Sequence, residues 1–70
     1  MTVEKILSRN ILRWRRKNNL SQERLAEKIG VNATTINKWE SGKHFPSIRK
    51  CERLADVFHV PVSFLFQDWN

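Results

Sequence analysis

Between Leu20 and Lys43 the sequence reads LSQERLAEKIGVNATTINKWESGK, and no other stretch constrains the fold as much. Leu25, Ala26 and Ile29 recur at helical spacing and so share one face. Ser21 precedes them with a side-chain oxygen that can accept from the orphan amides of a helix start. Glu23 stands in the first turn, where the helix dipole favours an acid. Gly30 closes the segment, because a residue without a Cβ adopts the left-handed conformation of a helix end at little steric cost. Asn32 then offers a second N-cap, and Ile36 and Trp39 open another apolar stripe. The pattern predicts helices over residues 21–29 and 33–40. A short turn joins them, and the small Ala26 sits where two steeply crossed helices come closest. The outer face of the second helix is polar and poor in acids, which leaves it free to meet something outside the fold.

Seventy residues make one small domain over 1–70, too little chain to bury both a stable core and a deep catalytic cleft, so no enzymatic activity is expected. The net charge is +6 and the pI about 10.3. The charge is lopsided, with eight Lys/Arg against three acids in residues 1–35 and five against four in residues 36–70. Such a domain is drawn to polyanions, nucleic acid first among them; the plain alternative is a basic surface that is merely solvated. A lone cysteine, Cys51, excludes an internal disulfide and offers no zinc spacing, which fits a reducing cytosol. His44, His59 and Cys51 have no partners spaced for catalysis or metal, so no metal, cofactor or small-molecule ligand is expected. The charged N-terminus and the lack of a long apolar run argue against a signal peptide or a membrane span, and a cytoplasmic location follows.

Helical periodicity continues on both sides. A first helix is expected over about Glu4 to Asn18, with Leu7, Ile11 and Trp14 on one face and Arg9, Arg13, Arg16 and Lys17 towards solvent; Asn19 is suited to its left-handed end. Residues Ser41 to Pro46 read as a loop. Ser47 then caps a fourth helix whose inner face carries Ile48, Cys51, Leu54, Ala55 and Phe58. Val60 and Pro61 lead into a short fifth helix near Val62 to Phe66, anchored by Leu65. The expected class is all-α, a compact bundle of about five short helices.

Gln22 with Ala26 four residues on, Gly30-Val31, Ile36, Trp39-Glu40-Ser41-Gly42-Lys43 and Pro46 closely resemble the phage repressor and Cro type of domain, also called XRE-type. The resemblance runs from about Leu7 to Leu65. It implies a lambda-repressor-like fold with a helix-turn-helix at helices two and three. It also implies double-stranded DNA as partner, and a sequence-specific transcriptional regulator that acts most often as a repressor, homodimeric on a palindromic operator. Two alternatives remain: the antitoxin of a toxin–antitoxin pair, and a protein-interaction module that has lost DNA binding. His59 stands where the resembling domains usually have glycine, and Ala33 where many have glutamine, so a glutamine-to-adenine contact is not carried over.

The N-terminal part of the second helix of such a motif enters the major groove. The outward residues there are Ala33, Thr34, Asn37 and Lys38. Asn37 suits adenine, Lys38 suits guanine, and Ala33 and the Thr34 methyl suit a thymine methyl; alternatively they are only the solvated face of a short helix. Gln22 matches the family position that reaches a backbone phosphate, and Asn32, Thr35, Ser41 and Lys43 match neighbouring backbone-contact positions, though each is also an ordinary cap, turn or surface residue. Arg49, beside Lys50, opposes the dipole in the first turn of helix four, which a nearby phosphate would explain; the alternative is a small surface penalty that the helix tolerates. Arg15 follows Ile11 by four and Glu40 follows Ile36 by four, so both face inwards and should meet. The resemblance implies a largely buried ion pair; otherwise Arg15 packs its stem and reaches water with its head. Trp14 and Trp39 read as core or core edge. Phe64, Phe66 and Trp69 are more aromatic surface than a short helix can bury, so they are expected to form a dimer interface, with Trp69 the freest. The alternative folds these rings back on helix one against Val3 and Ile6.

Overall fold

A computed structural model describes residues 2–69. Within them the chain forms helices α1 (Val3–Lys17), α2 (Gln22–Ile29), α3 (Ala33–Ser41) and α4 (Ile48–Phe58), followed by a 3-10 turn over Val62–Leu65. Each α-helix begins on a short polar side chain that accepts a backbone amide three residues on. Thr2 Oγ1 receives Lys5 N at 3.2 Å, Ser21 Oγ receives Arg24 N at 3.0 Å, Asn32 Oδ1 receives Thr35 N at 2.9 Å, and Ser47 Oγ receives Lys50 N at 3.2 Å. The helices end in left-handed residues, with Asn19 at φ 56°, Gly30 at 88°, Gly42 at 79° and His59 at 60°. His59 takes the conformation that glycine would take, and Val60 N donates to Ala55 O at 3.1 Å just beyond it, so this helix end is closed rather than loosened.

The apolar stripes converge as their periods require. Leu7 and Ile11 of α1, Leu25 and Ile29 of α2, Ile36 of α3, Leu54 and Phe58 of α4, and Leu65 are all buried. Ala26 is also buried, at the α2–α3 crossing. Cys51 lies in the same core, where burial pushes its thiol above the ordinary range. Ile48 departs from expectation: it is 73% exposed. At 100° per residue it lies roughly 70° from the centre of the arc set by Cys51, Leu54, Ala55 and Phe58, and as the first residue of α4 it has no preceding turn to shelter it.

The C-terminal segment also differs from the expected short α-helix. Only four residues turn, in 3-10 geometry, and Phe66 lies outside. The tail then folds against α1. Asn10, 3% exposed, donates its side-chain amide to Leu65 O at 2.8 Å, Gln67 O at 2.9 Å and Phe64 O at 3.3 Å. Trp69 is therefore not the free ring that was expected. Its indole nitrogen donates to Phe64 O at 3.2 Å, and its ring stands edge-on to Phe64 at 5.0 Å and to Trp14 at 6.0 Å. Phe64 is half-buried in the same cluster, 6.0 Å from Trp14. The rings turn onto α1 at Trp14, further along the helix than Val3 and Ile6, and the Trp69 indole N–H finds its acceptor within the tail, at the Phe64 carbonyl.

Candidate nucleic-acid interface

The outward arc of α3 carries Thr34, Asn37 and Lys38, all exposed, and Ala33, half-buried. Ile36 and Trp39 occupy the opposite arc in the core, so packing fixes the direction in which the polar residues point. A helix anchored along one side and bare along the other has the shape that a major groove admits. No acid stands in its first turn.

Behind this arc is a network of charged and polar side chains. Arg15 Nε donates to Glu40 Oε2 at 2.6 Å and Arg15 Nη2 to Glu40 Oε1 at 3.2 Å, while Arg15 Nη1 donates to the Leu20 carbonyl at 2.7 Å. The two side chains are only 13% and 6% exposed. Gln22 Nε2 adds a third bond to the carboxylate, reaching Glu40 Oε1 at 3.0 Å. Glu40 thus joins α1, the start of α2 and the end of α3. An amide nitrogen carries two hydrogens, so Gln22 keeps one N–H for an outside acceptor. The Leu20 carbonyl and the Gln22–Glu40 bond had no signal in helical spacing, since each depends on how the helices are placed against one another.

The other residues expected at phosphates are distributed unevenly. Lys43 and Arg49 are exposed, on the loop after α3 and in the first turn of α4. The Asn32 side-chain oxygen is occupied by Thr35 N and by Thr35 Oγ1 at 3.0 Å, which leaves its amide nitrogen for a partner. Thr35 and Ser41 each direct their one hydroxyl proton inwards, Thr35 to Asn32 and Ser41 Oγ to Lys38 O at 3.3 Å, so either must rotate to donate to a phosphate. Phe64, Phe66 and Trp69 lie apart from these groups, Phe64 within the 3-10 turn and the other two in the tail beyond it. Among the described residues, no His, Cys, Asp and Glu side chains gather as they would around a metal, and no helix is long and apolar enough to cross a membrane.

A sequence profile described as helix-turn-helix matches residues 11–65, which takes in α2, the turn, α3 and α4. The chain belongs to the XRE-type helix-turn-helix family. It is 41% identical over 56 residues to a helix-turn-helix transcriptional regulator of Archaeoglobus fulgidus, covering 80% of each chain. It is 43% identical over 47 residues to the transcriptional activator BcrR of Enterococcus faecalis; that match covers 67% of this chain and 23% of BcrR. Among solved structures, the SOS-response repressor LexA from Eubacterium rectale superposes with a TM-score of 0.87 at 33% identity, over 96% of this chain and 71% of that one. The restriction-modification controller protein C.AhdI from Aeromonas hydrophila shares the fold, with a TM-score of 0.83 at 24% identity over 90% and 91% of the two chains. Helix-turn-helix proteins of this family are transcriptional regulators with a DNA-binding domain, and not enzymes.

Proposed function

We propose that this chain represses transcription in the cytoplasm by occupying a palindromic operator as a homodimer, with α3 in the major groove. The exposed arc of α3 carries the reading: Asn37 and Lys38 can address base edges while Ala33 and Thr34 pack on thymine methyls. Gln22, Asn32, Lys43 and Arg49 are the expected phosphate contacts, with Thr35 and Ser41 joining after hydroxyl rotation. Such contacts fix the register of the module and carry no sequence information. Repression is favoured by the likeness to the LexA structure and by 29% identity over 51 residues to the phage repressor RstR of Vibrio cholerae.

The domain measures 28 × 25 × 21 Å, less than the roughly 34 Å between major-groove segments on one face of B-DNA, so reading two half-sites takes two copies. The partner surface proposed is Phe66 with the outer edges of Phe64 and Trp69. Phe66 and Trp69 each remain 36% exposed, although Phe64 and Trp69 also complete the fold.

Selection of bound sequences from random duplexes tests the docking register. The wild type should enrich a twofold-symmetric motif. Lys38→Ala should relax one base pair in each half-site and weaken binding by about 1–3 kcal/mol, whereas Lys43→Ala should weaken all sequences alike. An unchanged motif with Lys38→Ala would refute the register. A reporter carrying the selected site over its promoter should lose transcription; a gain would make the protein an activator.

A further inference from the structure

The net charge of the molecule is concentrated on one helix. α1 carries Lys5, Arg9, Arg13, Arg15, Arg16 and Lys17 against Glu4, a net +5 in a chain of net +6. Glu40 of α3 is paired with Arg15, which still leaves α1 a net +4, against the single exposed Lys38 on α3. The attraction of this domain for a polyanion therefore comes mainly from a helix outside the helix-turn-helix.

Part of that charge faces the end of α3. Lys5 and Arg9 are four residues apart, so they stack along one side of α1. Between that side and Ser41, Gly42 and Phe45 runs an open groove of about 410 Å³. Ser8 lines it too, and its hydroxyl, on a residue only 6% exposed, has no hydrogen-bond partner. Two acids border the groove. Both oxygens of Glu40 are already occupied by Arg15 and Gln22, and Glu4 lies exposed in the first turn of α1. The groove is continuous with the candidate interface through Ser41 and Gly42, which lead into Lys43.

We propose that this groove holds a backbone phosphate of the bound DNA, so that α1 adds a contact the helix-turn-helix does not provide. The proposal rests on the DNA-binding reading above. Lys5 brings a compact ammonium and Arg9 a planar fork suited to phosphate oxygens. Lys43 brackets the same strand from the loop, and Glu4 opposes them with a single negative charge.

The salt dependence of binding to the selected duplex tests this. Each phosphate that the protein neutralises steepens the plot of log K against log salt by about one. Lys5→Gln with Arg9→Gln, exposed helix positions given a good helix former, should flatten the slope by about one, for the one phosphate held, at an unchanged selected motif and unfolding temperature. Glu4→Gln should tighten binding. Lys28→Gln, the same charge change in the last turn of α2, serves as reference and should move the slope far less. A double variant whose slope matches that of Lys28→Gln would overturn the groove contact and leave the DNA-binding reading intact. Failure of the wild type to bind any duplex would overturn both.

Discussion

Glu40 holds three donors from two elements, and Arg15 has lost most of its water in reaching it. A pair in this state contributes less than its short distance suggests, because desolvation offsets much of the attraction, but removing one member strands the other. Glu40→Ala should therefore destabilise the domain by on the order of 3–5 kcal/mol, while replacing both with matched apolar residues should be close to neutral. A double-mutant cycle by thermal unfolding decides the matter: additive single effects would show that the two side chains do not interact. Glu40→Ala also releases Gln22, so the loss of binding that accompanies it should spread over all DNA sequences. Ser8 gives a contrasting residue. Its buried hydroxyl makes no hydrogen bond within the fold, so Ser8→Ala should raise stability by about 1 kcal/mol, seen as a rise of a few degrees in the unfolding midpoint.

At the scale of elements, α4 shows a conflict between its own stability and its proposed role. Arg49 and Lys50 stand in a first turn that has no acid, where the dipole favours one. Arg49→Glu should stabilise the free domain by about 0.3–1 kcal/mol and weaken DNA binding; tighter or unchanged binding would remove Arg49 from the interface. The helices themselves were legible in the sequence because their signals are local. Ser21, Asn32 and Ser47 cap where their side chains predict, and Gly30, Asn19 and His59 end helices because each tolerates a left-handed backbone. The outward arc of α3 was legible for the same reason: Ile36 and Trp39 fix which side is left over. Features that depend on distant partners were not legible. Nothing around Asn10 foretold that it would meet carbonyls more than fifty residues away, and without that contact the turn of the tail onto Trp14 could not be read. Ile48 was misread because periodicity places a residue on a side of a helix and does not show where the core beneath it ends.

For the whole molecule, the proposed twofold assembly predicts footprints in pairs. At saturation, protection should cover two half-sites about one helical turn apart on one face of the DNA. Protection of one isolated half-site with no symmetry in the bound sequence would rule the dimer out. The exposed aromatic area is small beside a standard interface, so the two copies should associate chiefly on the DNA, and a molecule observed free in solution should be monomeric at micromolar concentration. The Asn10 clasp bears on a different property, the order in which the chain assembles. This bond spans 55 residues and closes the chain almost end to end. Contacts of such separation have the largest loop entropy to overcome, so the tail should dock after the helices have packed. Asn10→Ala should then leave the refolding rate nearly unchanged and speed unfolding, in stopped-flow traces read by the fluorescence of Trp14 and Trp69. A matching fall in the refolding rate would show that the two ends of the chain meet early.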